Sequence, residues 1–417
     1  MSKFLVEGGV KLQGKVNIGG FKNAALAIVP AALLSRDVCI IENVPMIEDI
    51  HVLSQILETL GAEISQVDET TMKIDATNVK EINVTTELSR KIRGSYYLLG
   101  VGLGLFNHVN MPLPGGCNIG KRPIDLHIKG FEVLGGEVSI EGERISVDAD
   151  NLTGNKIYLD FASVGATINI MLAAVYAEGK TVIENAAKEP HIVDTANFLS
   201  AMGADIKGAG TDIIRINGVE KLTGCTYSVI PDQIEAGTYM VAAAATKGDI
   251  LIDGIIPKHL EPITAKLTEM GMIIEEYGDS LRVTYKDELK AVNIKTLPYP
   301  GFPTDLQQPF AVLLATIAGE CTVEETIYED RMKYVEELKK MGAGIDIVGR
   351  IAYIHGKDKL KGTPVIARDL RAGAAMIVAG LVAEGITEIR EIAHIDRGYE
   401  SIEKKFMNLG ARIRRVD

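Results

Sequence analysis

The stretch LGAEI at residues 60–64 has close variants along the whole chain. Its pattern is a large apolar residue, a glycine and the start of a strand-like alternation. The variants are LGGEV at 134–138, MGADI at 202–206, MGMII at 270–274, MGAGI at 341–345 and LGARI at 409–413. Successive glycines lie 68 to 74 residues apart. Repetition at a nearly constant spacing indicates a fold made of similar units, here six.

Each copy of this tag follows a helical pattern, such as EDIHVLSQILETLG at 48–61, with apolar residues three and four apart. The tag glycine is expected to end that helix and lead into a strand. Upstream lies a second, Ala-rich helix that is apolar nearly all round, such as ATINIMLAAVYAEG at 166–179. Such a helix is typical of a protein interior. The pattern predicts an α/β (α+β) fold in which buried helices are covered by outer sheets.

The length of 417 residues suggests more than one domain. Two lobes of three repeats each suit that length. We predict that residues 21–229 form lobe one, which carries the loop 112–122. Residues 1–20 and 230–417 are expected to form lobe two, with the N-terminal strand returning to it. The active site is expected in the cleft between the lobes.

The overall composition excludes several classes of function. A net charge of −12 disfavours a nucleic-acid partner, because an acidic surface repels polyanions. The N-terminus lacks the basic flank and apolar run of a signal peptide, and no apolar stretch is long enough to cross a bilayer. The four cysteines form no CxxC pair, so neither a disulfide framework nor a zinc site is expected. These features predict a cytoplasmic protein without a metal.

Polar residues recur where the buried helices are expected to begin. They are Lys22 with Asn23, Arg93, Ser163 to Gly165, Asp232 with Glu235, Thr304 with Asp305, and Asp369 with Arg371. A helix N-terminus attracts anions, so cations there need an anion to offset them. Ser163 and Asp232 are equally well explained as ordinary helix caps.

The starts of the outer helices carry a second polar set, which comprises Lys121 with Arg122, Glu189, Lys258 with His259, Arg331 and Arg397. If both sets point to one cleft, an acidic protein collects its cations at one place. Arginine matches the geometry of phosphate and carboxylate groups. We therefore expect a small, multiply charged anion as the ligand.

The second repeat alone contains the long insertion MPLPGGCNIGKRPIDLHI at 111–128. An insertion confined to one repeat indicates a functional loop. The adjacent cations Lys121 and Arg122 would favour the thiolate of Cys117. The alternative is a small buried residue in a turn, which is our interpretation of Cys39, Cys225 and Cys321.

Asp305 lies in PYPGFPTDLQQPF at 298–310, a proline-rich approach to a helix. A carboxylate at this place can cap the helix or act as a base. The sequence pattern does not distinguish these two roles.

The motifs GGFKNAAL, LPGGCNIGKRPIDLH, ASVGATINIM, ENAAKEPHIVDTANFL, PDQIEAGT, FPTDLQQPF, ARDLRAGA and HIDRGYE span the whole chain. Together they resemble the UDP-N-acetylglucosamine enolpyruvyl transferase family. The resemblance implies a two-lobed inside-out α/β barrel of six similar units. It also implies transfer of the enolpyruvyl group from phosphoenolpyruvate to UDP-N-acetylglucosamine, with release of phosphate, at the first committed step of peptidoglycan synthesis. No metal or organic cofactor is implied.

The resemblance also implies roles for individual residues. Cys117 would protonate the methylene carbon of phosphoenolpyruvate, form a covalent adduct with the substrate and be alkylated by the epoxide fosfomycin. Asp305 would accept the proton of the attacking sugar hydroxyl, and Asp369 would orient the last steps. Phosphate and carboxylate would bind Lys22, Arg122, Arg371 and Arg397. The remaining substrate contacts would be Asn23, Arg93, Pro123, Ile124, Asp125, Leu126, His127, Ser163, Val164, Gly165, Glu189, Asp232, Thr304 and Ile327.

The chain departs from the family at one point and leaves two alternatives open. Some relatives carry a lysine where this chain has Asp160-Phe161-Ala162, so the diphosphate contact there is undecided. One alternative is the related transferase that acts on shikimate 3-phosphate, whose loop lacks this cysteine. The other is a catalytically silent paralog that binds a UDP-sugar and regulates a protein partner.

Overall fold

The computed structural model describes residues 2–113, 123–356 and 359–416. The chain folds into two compact units. The first unit contains residues 20–113 and 123–230, and the second contains residues 2–19, 231–356 and 359–416. Within the described residues, the chain passes between the units after residue 19 and after residue 230.

The six tag glycines all adopt a left-handed backbone conformation. Their φ angles range from 90° at Gly410 to 112° at Gly271. Side chains other than hydrogen are strained at such angles, so glycine is the residue that ends each outer helix there. The prediction that the tag is a helix-to-strand junction is confirmed.

The first unit contains three sheets among its described residues. In sheet order, their strands are Thr226–Ser228, Val38–Glu42, Met72–Asp75 and Glu63–Gln66; His108–Pro112, Arg144–Asp148 and Glu137–Glu141; and Lys156–Tyr158, Lys180–Glu184, Ile213–Asn217 and Asp205–Lys207. In the four-stranded sheets, the strand written first pairs parallel with its neighbour and the others pair antiparallel. An isolated parallel bridge from Asn83 to Asn110 takes the place of the parallel strand in the remaining sheet.

The second unit repeats this plan in its described residues. Its strands are Gln13–Asn17, Asp249–Asp253, Ser280–Thr284 and Ile273–Tyr277; Ile294–Lys295, Gly319–Glu324, Ile351–Gly356 and Gly344–Val348; and Pro364–Ile366, Ile386–Arg390, Lys3–Glu7 and Arg412–Val416. Two of these sheets take a strand from residues 2–19. Leu251 pairs with Lys15, and Phe4 pairs with both Ile389 and Arg415. The N-terminal segment thus belongs to the second unit.

Each unit holds three buried helices among its described residues. They are Lys22–Ala31, Tyr97–Phe106 and Val164–Ala174 in the first unit, and Gln233–Ala245, Gln307–Ala315 and Leu370–Val382 in the second. These helices pack closely because small residues line their contacts. A Cβ atom at Gly100 would lie 2.3 Å from the carbonyl oxygen of Asn169 on the neighbouring helix. Any larger residue would force the two helices apart.

The outer helices are amphipathic, with one face against the core. They are Glu48–Thr59, Asp125–Val133, Pro190–Ala201, Glu261–Met270, Tyr334–Lys340 and Ile402–Asn408. Two further short helices, Thr86–Lys91 and Ala393–Asp396, and three 3-10 turns, Ala32–Ser35, Arg93–Tyr96 and Pro257–Leu260, complete the described elements. The predicted mixed α/β class, built from six similar units with helices inside and sheets outside, is confirmed.

Candidate active site

The second unit brings three of the predicted charged residues together at Asp305. One carboxylate oxygen of Asp305 accepts a hydrogen bond from Arg331 Nη2 at 2.6 Å. The other accepts from Arg371 Nε at 3.1 Å. Both arginine side chains are almost completely buried, whereas the Asp305 side chain is 24% exposed. The two arginines therefore hold the carboxylate on its buried side, and its other side is exposed.

The helix-cap alternative for Asp305 is wrong. The adjacent buried helix begins at Gln307, its cap is Leu306, and no side chain caps it. Residues 303–306 form a turn closed by the Leu306 N–H on the Pro303 carbonyl at 3.0 Å. The turn directs the Asp305 carboxylate towards the arginines instead of towards the free N–H groups of the helix.

The protonation state of Asp305 follows from this environment. Burial raises the pKa of the carboxyl, but the charges of Arg331 and Arg371 outweigh burial and hold the pKa below its ordinary value. Asp305 is therefore ionised at neutral pH. An ionised carboxylate is the form that can accept a proton.

Each of these two arginines has one buried N–H donor that could still bind a ligand. Among the described residues, Arg331 Nε and Arg371 Nη1 are buried without a hydrogen-bond partner. Buried donors are rarely left unsatisfied, and when they are, a missing ligand or ion is one explanation. The Arg371 guanidinium also lies 5.2 Å from the centre of the Tyr399 ring, which helps to fix its plane.

Asp369 and Asp232 cap the two other buried helices of this unit. Asp369 Oδ1 accepts from the backbone N–H groups of Arg371 and Ala372, both at 2.9 Å. Asp232 Oδ1 accepts from Ile234 at 2.7 Å and Glu235 at 3.0 Å. The cap interpretation of Asp232 is thus confirmed, and its substrate contact stays a prediction. Burial raises the pKa of Asp232 to about 6, against the opposing effect of the Arg371 charge.

Thr304, Ile327 and Arg397 occupy other segments of the second unit. The Thr304 hydroxyl donates to Glu325, and the Ile327 backbone N–H donates to the same carboxylate. Arg397 differs from its predicted position. It ends the one-turn helix Ala393–Asp396, and the outer helix begins only at Ile402. All three residues are partly exposed.

In the first unit, Lys22 begins the first buried helix as predicted. Its Nζ lies 2.8 Å from Asp49 Oδ2, and both side chains are more than nine-tenths buried. Asp49 comes from the first turn of the outer helix Glu48–Thr59. Asn23, the next residue on the buried helix, is partly exposed.

His127 and Gly165 lie against each other in this unit. The Asn169 amide donates to His127 Nδ1 at 2.9 Å and to the Tyr96 carbonyl at 3.0 Å, while its oxygen accepts from the Gly100 N–H at 2.9 Å. His127 Nδ1 is therefore an acceptor, which places the ring proton on Nε2. Burial, with a smaller effect of the Arg93 charge, lowers the pKa of His127 to about 3, so the ring is neutral.

Gly165 packs closely against that ring. A Cβ atom at this position would lie 2.7 Å from the Tyr96 hydroxyl oxygen and 3.1 Å from His127 Nε2. Ser163 caps the same helix, with its hydroxyl oxygen 3.3 Å from the Ala166 N–H. The cap interpretation of Ser163 is confirmed. The start of this helix therefore places a neutral histidine donor against a backbone position that is too crowded for a Cβ atom.

The other predicted residues of the first unit lie at helix starts and turns. Arg93 lies in a 3-10 turn ahead of the second buried helix, not at its first residue, and stacks 5.6 Å from the Tyr96 ring. Glu189 precedes Pro190 as the N-cap of its helix. Pro123 and Asp125 are exposed, Ile124 is partly exposed and Leu126 is buried. Val164 is the first residue of its buried helix.

The point at which the chain departs from the family lies on the protein surface. Asp160, which stands where some relatives carry a lysine, pairs with Lys129 Nζ at 2.8 Å on the surface.

Cys117, Lys121 and Arg122 lie outside the described residues, so their roles stay predictions. Burial raises the pKa of Cys39, and raises the pKa of Cys225 and Cys321 to about 11. These three thiols are thereby poor nucleophiles at neutral pH.

Sequence reasoning did not single out Glu325, Asp49, Asn169 and Tyr399 for the site. Asn169 and Tyr399 lie within motifs already quoted, but only their contacts identify all four residues as part of the site. No three His, Cys, Asp or Glu side chains in the described part of the chain are grouped to hold a metal ion. Across the same residues, no helix combines the length and apolarity needed to cross a membrane.

Comparison with known proteins identifies the family to which this chain is similar. Residues 6–406 match the family model described as EPSP synthase (3-phosphoshikimate 1-carboxyvinyltransferase). The chain is 59% identical over 417 residues to a Clostridium botulinum protein named UDP-N-acetylglucosamine 1-carboxyvinyltransferase, and both chains are covered completely. A Caldanaerobacter subterraneus protein named UDP-N-acetylglucosamine 1-carboxyvinyltransferase 3 is 58% identical over 416 residues, again with complete coverage of both.

Two solved structures share the fold. The enolpyruvyl transferase NikO from Streptomyces tendae matches with a TM-score of 0.90 and 25% identity, covering 100% of this chain and 99% of the other. EPSP synthase from Acinetobacter baumannii matches with a TM-score of 0.78 and 20% identity over the whole of both chains. The chain therefore belongs to the enolpyruvyl (1-carboxyvinyl) transferase family and is a transferase.

Proposed function

We propose that this transferase moves the enolpyruvyl group of phosphoenolpyruvate to the 3′-hydroxyl of UDP-N-acetylglucosamine and releases phosphate. The observation that carries this choice of acceptor is the 58–59% identity, over complete chains, to relatives named for it. The cysteine loop in the sequence supports it, because the resemblance assigns that loop to the enzymes that use the nucleotide sugar. We place the reaction at the start of peptidoglycan synthesis.

The charge state and exposure of Asp305 support its role as the base in this reaction. It is ionised, and its open side can face a sugar hydroxyl. While both arginines hold it, its low pKa makes it a weak base. An incoming carboxylate or phosphate that takes up the spare donor of Arg371 would weaken that hold and raise the pKa of Asp305. Base strength would then increase only after the anionic substrate is bound.

The cations would stabilise the charge that moves during the reaction. Arg371 and Lys22 are both held in buried ion pairs, so neither needs to reorganise when the anion arrives. Preorganised charges of this kind stabilise a transition state more than mobile ones. Arg397 and Arg122 are proposed as further phosphate and carboxylate contacts. Cys117 is proposed as the acid that protonates the methylene carbon and forms the covalent adduct.

The first unit is proposed to hold the nucleotide part of the acceptor. Buried helix N-termini favour diphosphate, and the helix that begins at Val164 is one of them. His127 Nε2–H is a neutral donor at the same place. Arg93 supplies a positive charge 5.6 Å from the Tyr96 ring.

We further propose a cytoplasmic location, because both substrates are multiply charged and do not cross an apolar bilayer unaided.

The test is phosphate release from phosphoenolpyruvate with no acceptor, with UDP-N-acetylglucosamine and with shikimate 3-phosphate. We expect release only with the nucleotide sugar. Release with shikimate 3-phosphate instead would assign the related reaction. Tight binding of the nucleotide sugar without release would identify a silent paralog and direct the search to a protein partner.

A further inference from the structure

Glu325 follows the strand Gly319–Glu324 and is 1% exposed. A carboxylate so deeply buried is costly unless its oxygens are hydrogen-bonded. Both of its oxygens are engaged. Glu325 Oε2 accepts from the Thr304 hydroxyl at 2.7 Å. Glu325 Oε1 accepts from the Thr296 hydroxyl at 3.0 Å and from the backbone N–H groups of Ile327 at 2.7 Å and Tyr328 at 3.1 Å.

These partners require an acceptor at this position. A backbone N–H can only donate, so Oε1 has to accept from Ile327 and Tyr328. Hydroxyl donors from Thr296 and Thr304 complete the set. Four donors converging on one side chain suit an ionised carboxylate, which accepts through both oxygens and donates nothing.

The segments joined by Glu325 are distant in sequence. Thr304 lies next to Asp305 in the turn before a buried helix, and Ile327 begins the segment after the strand. Thr296 links the same two regions, because its hydroxyl accepts from the Thr326 N–H at 2.9 Å and its carbonyl accepts from the Thr326 hydroxyl at 2.6 Å. Glu325 is thus the central acceptor of a buried brace between two loops.

We infer that Glu325 is a positioning residue for the acceptor sugar: it holds the Asp305 turn and the Ile327 segment in register with each other. The inference rests on the proposed function, in which Asp305 receives the sugar hydroxyl proton, and on the family resemblance, which implies that Ile327 contacts the acetamido group. Glu325 is itself buried and acts through these neighbours. A misplacement of about 1 Å between reacting groups can lower the rate about 100-fold, which is why such a brace matters.

The two carboxylate oxygens predict separable effects. The Oε2 contact restrains the turn that carries Asp305, so its loss should mainly lower kcat. The Oε1 contacts restrain the Ile327 segment, so their loss should mainly raise the KM for the nucleotide sugar. Phosphoenolpyruvate is proposed to bind Lys22, Arg122, Arg371 and Arg397, and Arg371 is hydrogen-bonded to Asp305, not to Glu325. The KM for phosphoenolpyruvate should therefore change little.

The experiment compares four variants of the full chain by steady-state kinetics with each substrate varied in turn, alongside thermal unfolding. Glu325→Ala removes both contacts, and Thr304→Val removes the Oε2 contact alone. Glu325→Gln keeps the shape, because its amide oxygen can accept at the Oε1 position and its amide nitrogen can donate to the Thr304 hydroxyl. Glu403→Ala is the control, since Glu403 is also a buried carboxylate of the second unit but binds Arg415 of the C-terminal strand.

For Glu325→Ala we expect kcat to fall about 100-fold and the KM for UDP-N-acetylglucosamine to rise about 10-fold, with the KM for phosphoenolpyruvate within about three-fold of wild type. Thr304→Val should lower kcat about 10-fold with a smaller effect on either KM. Glu325→Gln should stay within about five-fold of wild type in every parameter. The control should lose thermal stability without changing any kinetic constant of the folded enzyme.

Three results would overturn the inference in an active wild-type enzyme. Glu325→Gln as impaired as Glu325→Ala would show that charge, not position, is what Glu325 supplies. Equal rises in both KM values would indicate general damage. Unchanged kinetics in Thr304→Val would remove the link to Asp305. If Glu325→Ala does not fold, the Gln and Val variants decide alone. An inactive wild type is a different outcome, because it would refute the proposed function and the inference with it.

Discussion

Gly165→Ala is the substitution for which the structure predicts the sharpest effect in the first unit. The new Cβ atom would lie 2.7 Å from the Tyr96 hydroxyl oxygen and 3.0 Å from His127 Cε1. Ordinary contact begins near 3.4 Å, so Tyr96 has to retreat by about 0.7 Å and His127 by about 0.4 Å. Neither can do so freely, because Asn169 bonds the His127 ring and the Tyr96 ring packs edge-on against it.

The magnitude follows from this crowding. Overpacking of a buried contact costs about 1–3 kcal/mol. For a folding unit of this size, we expect the melting temperature to fall by about 2–12 °C. Displacing His127 also moves the Nε2–H donor that is proposed to meet the diphosphate at this helix start. Loss of one hydrogen bond to a charged group costs about 1.5–3 kcal/mol, so the Kd for UDP-N-acetylglucosamine should rise about 10- to 100-fold.

The assay is isothermal titration calorimetry with the nucleotide sugar, combined with thermal unfolding. Tyr96→Phe provides the matched partner, because it removes the oxygen nearest to the new methyl group. The double variant should regain at least half of the stability lost by Gly165→Ala, since only the milder contact with His127 remains. Wild-type stability in Gly165→Ala, or additive losses in the double variant, would refute the packing argument.

The remaining predictions concern the reactive groups and the pH dependence. Cys117→Ala should abolish phosphate release while calorimetry still detects nucleotide-sugar binding; retained turnover would remove its assignment as the acid. Fosfomycin should add its mass at Cys117 alone in peptide mass spectrometry, because burial raises the pKa of the other three thiols; a label on any of them would contradict this. Asp305→Asn should lower kcat by at least about 100-fold in the phosphate-release assay, because the amide cannot accept the proton; a smaller loss would point to another base. Asp194 is 1% exposed, and burial raises its pKa to about 6. Since the folded state then binds its proton more tightly than the unfolded state, wild type should lose about 2–3 kcal/mol through this group as the pH rises from 4 to above 6, and urea unfolding of Asp194→Asn should lack that loss.

Much of the fold could be predicted from the sequence because its signals are local. A tag glycine has to adopt a positive φ to end a helix, and the six tags therefore mark six junctions regardless of what packs around them. A helix of alanines and branched apolar residues without a polar face has to be buried, wherever its neighbours lie. The helix caps Ser163, Asp232 and Asp369 are equally local, because each side chain bonds N–H groups two or three residues ahead.

What only the tertiary structure decided depends on residues far apart in the chain. Asp305 was ambiguous because a carboxylate before a helix can cap it. Arg331 and Arg371, which are 26 and 66 residues away, hydrogen-bond its carboxylate. The carboxylate therefore does not cap the helix, and it stays ionised. Glu325 has no motif, and its role follows from the loops that converge on it. Periodicity reports how one segment is buried, but the charge state and aim of a side chain depend on which distant groups the fold brings within hydrogen-bonding reach.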